Sequence, residues 1–256
     1  MNKFLGILLL SVWFLSACSE PKTKINESVI EPAAGVDSLA SPQAKVSFFQ
    51  YEDSSSYPDA ILELFSPLGN QSFRPGKVPF EFNIKNFDLN EGGTDQPQLH
   101  LILNGGDPVG FFSPIFQREL TQGTYRAVGF LIDEDGLALK NFGNYVDRDF
   151  LVGDSRPFPY SAEPYLAVNL PRNQQIVPLG QDVILDFLVL GGDMDLDNLK
   201  VKVSINEFSY EVQKMLPIRI SNLPKGDYQL NIRLLRRDNK ELDGPFSSVS
   251  KSFYVR

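Results

Sequence analysis

The chain has little of what most metal and nucleophilic chemistry requires. Its 256 residues include one Cys, one His and one Trp. With Cys18 alone there is no disulfide framework within the chain and no Cys-rich zinc site. His100 has no second imidazole to complete a ligand set, and no Gly-x-Ser-x-Gly elbow accompanies it. Most nucleophilic hydrolase designs are therefore absent. Positive charge is also in deficit: 24 Lys and Arg face 32 Asp and Glu, a formal net charge of −8. A surface of that sign repels a polyanion, which argues against a nucleic-acid partner. After the first residues no apolar run is long enough to span a bilayer. No apolar stripe of helical period follows Cys18.

What is abundant is aromatic and turn-forming. There are 20 Phe, 18 Pro and 19 Gly, and 42% of the residues are hydrophobic. That mixture points to β structure with many tight turns.

The N-terminus reads as an export signal. Lys3 supplies a positive start, and Phe4 to Leu15 is apolar apart from Gly6 and Ser11. Leu15-Ser16-Ala17-Cys18 follows, with small residues before the only Cys. This tetrapeptide resembles the bacterial lipobox. The resemblance implies a signal peptide over residues 1–17 and lipidation of Cys18 by a diacylglyceryl thioether and an acylated amine. Two or more acyl chains give stable anchoring where one is marginal. The chain is thus expected to meet a membrane through its lipid. Ser19 and Glu20 do not resemble the Asp-type signal that retains lipoproteins in the inner membrane of many Gram-negative bacteria, which in a Gram-negative cell favours the outer membrane. Residues 18–57 are rich in Ser, Glu, Pro, Lys, Ala and Asp, and read as a tether. Within it, Val46–Tyr51 is more apolar and is expected to dock as a short strand on the first domain.

Beyond the tether the chain repeats itself. Ile61-Leu-Glu-Leu-Phe-Ser-Pro67 matches Tyr165-Leu-Ala-Val-Asn-Leu-Pro171. Val78, Phe80, Phe82 and Ile84 match Val183, Leu185, Phe187 and Val189. Leu99, Leu101 and Leu103 match Val201, Val203 and Ile205. Pro114-Ile115 matches Pro217-Ile218, and Leu120-Thr-Gln-Gly-Thr-Tyr125 matches Leu223-Pro-Lys-Gly-Asp-Tyr228. The offset stays between 102 and 105 residues throughout. Two copies of one domain are expected, over 58–154 and 163–256, joined by a linker at 155–162.

The strand signal is alternation with period 2. Val78, Phe80, Phe82 and Ile84 share a face, with Glu81 and Asn83 opposite. Val201 and Val203 alternate with Lys200 and Lys202, which are expected to face water. Between Arg126 and Ile132 both faces are apolar, so that strand is expected to be covered on both sides. About seven short strands in each copy suggest an all-β, immunoglobulin-like sandwich. The paired Leu-x-x-Gly-x-Tyr segments resemble the tyrosine corner of immunoglobulin-like and fibronectin type III domains. That resemblance implies that Tyr125 and Tyr228 bond back to nearby backbone. Neither copy has the paired Cys and core Trp of antibody domains. The fold hosts many functions and names none.

His100 alternates with Leu99 and Leu101, and polar Lys202 stands near the matching place, so a solvated sheet face is expected. Asp193, Asp195 and Asp197 are candidates for a metal, since alternating carboxylates can ligate Ca²⁺. Asn198 replaces the Gly of a calcium loop and Ser204 its final Glu, so a solvated loop is the reading adopted. No metal and no cofactor are expected. Phe111 and Phe112 on one loop, and Phe158 and Tyr160 at the junction, are candidates for contact with a partner. Packing within the molecule competes with that role at both places. The expected activity is non-enzymatic: a membrane-anchored module that binds or scaffolds an envelope component. A carbohydrate-binding surface is the alternative, and a hydrolase with a carboxylate pair comes third.

Overall fold

The structure, a computed structural model, describes residues 45–52, 57–89 and 96–256. The lipobox, Cys18, and most of the tether lie outside them. The described residues form strands and turns only.

The strands are β1 (Ser47–Gln50), β2 (Ile61–Ser66), β3 (Ser72–Phe73), β4 (Gly76–Lys85), β5 (Leu99–Leu103), β6 (Val109–Phe111), β7 (Ile115–Leu120), β8 (Gly123–Leu131) and β9 (Tyr145–Val152). They continue with β10 (Tyr165–Leu170), β11 (Gln175–Val177), β12 (Val183–Leu190), β13 (Leu199–Ile205), β14 (Phe208–Val212), β15 (Ile218–Ser221), β16 (Gly226–Arg236) and β17 (Ser248–Val255).

In the first copy a sheet β2-β4-β7 faces a sheet β3-β9-β8-β5-β6. In the second, β1-β15-β12-β10 faces β11-β17-β16-β13-β14. Pairing is antiparallel except for β3 with β9 and β11 with β17, which run parallel. Two such sheets packed face to face make each copy an immunoglobulin-like β-sandwich.

Alternation puts every second side chain into a core. Val78, Phe80 and Phe82 meet Leu99, Leu101 and Phe150 in the first sandwich. Val183, Leu185 and Phe187 meet Val201, Val203 and Phe253 in the second. Full burial of one such side chain stabilises by about 1.5–3 kcal/mol relative to exposure. The Tyr125 hydroxyl donates to the Thr121 carbonyl at 2.9 Å, and the Tyr228 hydroxyl to the Pro224 carbonyl at 2.7 Å. Tyr125 stacks on Phe150 and Tyr228 on Phe253, so the corner is built alike in both copies.

A third core lies between the sandwiches. Ile102 of β5, Val128 and Phe130 of β8, and Ile132 pack against Tyr165 and Ala167 of β10 and Leu188 and Leu190 of β12. Strand β8 is thus covered on both sides, with Ala127 and Leu131 inside its own sandwich. The outer sheet face of the first copy is glued to that of the second.

Three local expectations are corrected. Strand β1 pairs with β15 of the second copy, not with the first: Phe48 lies opposite Ile220 and Gln50 opposite Ile218. Val46 and Phe48 join the second core, where Phe48 stacks on Tyr210 with ring centroids 5.3 Å apart. Lys200 is buried, not in water, and its ammonium reaches Glu211 at 2.9 Å. Finally, Arg118 pairs with Val78 as Ile220 pairs with Val183, so Ile115 corresponds to Pro217 and the match of the two prolines slips by one residue.

Candidate functional site

Two polar networks clamp the third core. Asp186 is fully buried on β12, and its carboxylate accepts from the Ala138 N–H at 2.7 Å and the Asn169 side chain at 2.8 Å. Lys140 of the first sandwich donates to the same carboxylate at 2.5 Å and to the Phe187 carbonyl. Elsewhere the buried Lys251 of β17 donates to Asp107 at 2.6 Å and to the Gly106 carbonyl. Asp107 also accepts from the Asn173 N–H. Hydrogen bonding to Lys251 and Asn173 holds the Asp107 carboxyl below its ordinary value, although burial opposes this.

Arg126 forms an aromatic clasp at the junction. Its guanidinium makes paired 2.7 Å bonds to Asp149 and lies 4.5 Å from the Tyr165 ring centroid. Phe158 and Phe246 stand within 6 Å of the same guanidinium. Phe158, a candidate for partner contact, therefore packs inside the molecule. Its neighbour Tyr160 is 94% exposed.

His100 is 5% exposed, against the expected solvated face. The second sandwich covers it, and its ring packs edge-on to Phe130 at 5.5 Å. Burial, together with the charge of Arg172, pushes its pKa down to about 4, while interactions with Asn169 and Pro97 oppose the shift. At neutral pH it is an uncharged structural group.

The three candidate metal carboxylates are engaged locally. Asp193 accepts from the Asp195 and Leu196 N–H groups, each at 2.8 Å, which lowers its pKa. Asp197 accepts from the Asp193 N–H, and Asp195 pairs with Arg237. Among the described residues no group of three His, Cys, Asp or Glu is placed to hold a metal ion. In the same loop Leu196 is 85% exposed, while Leu199 turns into the core. Phe111, expected on a loop, instead ends β6 opposite Leu99 and stacks on Phe116 at 3.5 Å, while Phe112 beyond the strand stays exposed. The four aromatic candidates therefore do not converge on one site.

What does form a concave site is the groove along the inter-sandwich seam. It has a volume of about 940 Å³. Tyr145, Met194 and Met215 are among its apolar lining, and Asp147, Asp193 and Asp195 stand there with Lys140 and Lys214. Phe142 projects at its margin, 99% exposed, and also borders a neighbouring hollow beside Tyr57 and Ile61. Single-chain patterning did not mark Phe142. Its only signal is an aromatic side chain within the turn-forming run Asn141-Phe142-Gly143.

No protein-family model and no curated protein sequence matches the chain. Solved structures similar to it include the fibronectin(III)-like modules of Clostridium thermocellum CbhA, 11% identical, covering 77% of this chain and 94% of that one with a TM-score of 0.30. The three N-terminal domains of the highly immunogenic outer capsid protein of bacteriophage RB49 are 13% identical, covering 77% and 69%, with a TM-score of 0.23. The insect immune protein hemolin is 13% identical, covering 80% and 48%, with a TM-score of 0.23.

Proposed function

We propose that the chain is a non-enzymatic lipoprotein, anchored through Cys18 to a bacterial outer membrane, whose paired sandwiches bind or scaffold another envelope component. The groove at the seam carries this reading. It is a preformed concavity lined by apolar side chains and by charges of both signs, with a fully exposed Phe142 beside it, the composition of a contact site. The lipobox supports the anchor. Affinity capture from solubilised envelope by the full chain tests the reading. The wild type is expected to retain a partner that Phe142→Asp loses, and equal capture by both would remove the groove from consideration. Metabolic labelling with a palmitate analogue tests the anchor, with label expected on the wild type and absent from Cys18→Ser.

Exposed Phe142 and Tyr160 favour a second reading, in which an aromatic surface holds a glycan. A glycan array separates the two: binding that Phe142→Ala removes would select the sugar.

A further inference from the structure

The two sandwiches differ at one edge. In the second, β15 is flanked by β12 on one side and by β1 on the other. In the first, the equivalent strand β7 pairs, among the described residues, with β4 alone and ends its sheet. The phase of the β4–β7 ladder follows from the 2.9 Å bond between the Phe82 N–H and the Pro114 carbonyl. Antiparallel alternation then turns the N–H and C=O groups of Phe116, Arg118 and Leu120 toward β4. Those of Gln117 and Glu119 face the open edge. The same phase holds in the second copy, where the Tyr51 N–H bonds to the Pro217 carbonyl across β1 and β15.

Side chains repeat the contrast. Phe48 enters the second sandwich opposite Ile220 and stacks on Tyr210, which pairs with Val203. In the first sandwich Val109 pairs with Leu101 as Tyr210 pairs with Val203, and Arg118 stands where Ile220 does. Among the described residues no side chain stands there as Phe48 does. Leu101, Leu103, Val109 and Arg118, with Asp107, line a cavity of about 180 Å³ instead. Asp107 is held by Lys251. Arg118 forms none of the ion pairs among the described residues and leans over the Phe111 ring at 5.9 Å.

We infer that the β7 edge accepts an extended segment of a partner polypeptide by strand addition, as β15 accepts β1. The segment places an aromatic or long aliphatic side chain in the cavity and an acidic side chain two residues further on, beside Arg118. Main-chain bonds to Gln117 and Glu119 supply affinity, and the cavity and Arg118 supply selectivity. Diagonal neighbours on a shared sheet face lie within reach of a long side chain. This inference rests on the binding-module reading and assigns that module a second surface, remote from Phe142 in the sheet order.

The probe is a labelled peptide of residues 45–52, Lys-Val-Ser-Phe-Phe-Gln-Tyr-Glu, with Gln50→Glu and Phe48→Ser forms, titrated into the full chain in detergent. The chain's own β1 is covalently held at high effective concentration, so β15 stays occupied. The Gln50→Glu form is expected to bind at least about fivefold tighter than the parent, and Phe48→Ser at least about tenfold weaker. Protein Gln117→Pro removes an N–H that only the open edge presents, a place where proline is tolerated. It should weaken every peptide at least about tenfold with unchanged melting. Should that variant unfold, Val109→Phe fills the cavity without altering the backbone and should weaken binding likewise. Arg118→Gln should erase the preference for Gln50→Glu. Absence of binding by all three peptides, or binding that neither Gln117→Pro nor Val109→Phe weakens, overturns the inference. An envelope partner retained by Gln117→Pro but lost by Phe142→Asp would overturn it while leaving the module reading intact.

Discussion

Burial between the sandwiches removes His100 from water, and its proton affinity falls with it. Its pKa of about 4 in the folded chain lies below the ordinary 6.5. Above pH 6.5 the ring is neutral in both folded and unfolded states and adds no pH dependence. As pH falls from 6.5 toward 4 the unfolded chain takes up a proton that the folded chain refuses, so stability is lost across that window. The shift corresponds to about 3 kcal/mol. His100→Gln should therefore melt with a shallower acid dependence between pH 7 and 4 than the wild type, and superimposable profiles would contradict this. The corner tyrosines are a second case at this scale. Each hydroxyl makes one bond to a carbonyl four residues upstream. Tyr125→Phe and Tyr228→Phe should each cost about 1 kcal/mol in denaturant titrations, and the two losses should be similar.

Among the strands, β1 and β8 carry the most consequence. β1 brings Phe48 from the N-terminal side of the first sandwich to complete the second. Phe48→Ala should destabilise the chain by about 2 kcal/mol, less than for a fully buried ring because Phe48 is only half-buried. Hydrogen exchange should show the loss on β15 and β14 before β5 and β8. Strand β8 is constrained on both faces, and Gly129 lies where the Phe82 ring crosses it. A Cβ at residue 129 would stand 2.4 Å from the Phe82 ring edge. Gly129→Ala must displace that ring, at a cost of about 1–3 kcal/mol measured by denaturation.

At the scale of the molecule, the third core and its polar clamps make the two sandwiches one body. Asp186 contributes from its fully buried position by accepting from both Ala138 and Lys140 of the first sandwich. Asp186→Ala leaves the Lys140 ammonium and the Asn169 amide without that acceptor. The expected loss is about 3–5 kcal/mol, the usual cost of breaking a buried ion pair from one side. Small-angle scattering should report a larger radius of gyration for Asp186→Ala, and an unchanged profile with wild-type melting would refute the clamp. The seam groove depends on the same clamp, since Lys140 and Asn141 border it beside Val189 and Leu190. Phe142→Asp capture and the scattering of Asp186→Ala thus address one surface from two directions.

The sequence by itself determined the strands, because alternation with period 2 is a local property: Val78, Phe80 and Phe82 must share a face wherever they lie. The repeat determined that two similar sandwiches form, and the Gly-x-Tyr segments determined their corners. Even the doubly covered β8 was legible, since apolar residues on both faces of a strand have no other stable place. Which surface covers them was not legible. Tyr165 and Ala167 stand where the first copy has Ile61 and Glu63, a difference that marks an interface only once the outer face of β8 is known to oppose it. His100 and Lys200 looked solvated for the same reason: alternation says which side of a sheet a residue takes, and not whether water or protein lies there. Only the tertiary structure decided that β1 completes the second sandwich, that Asp186 joins the copies, and that Phe142 stands free at the seam. Each depends on contacts between residues far apart in the chain, whose pairing is set by the shape of whole sheets rather than by neighbours in sequence.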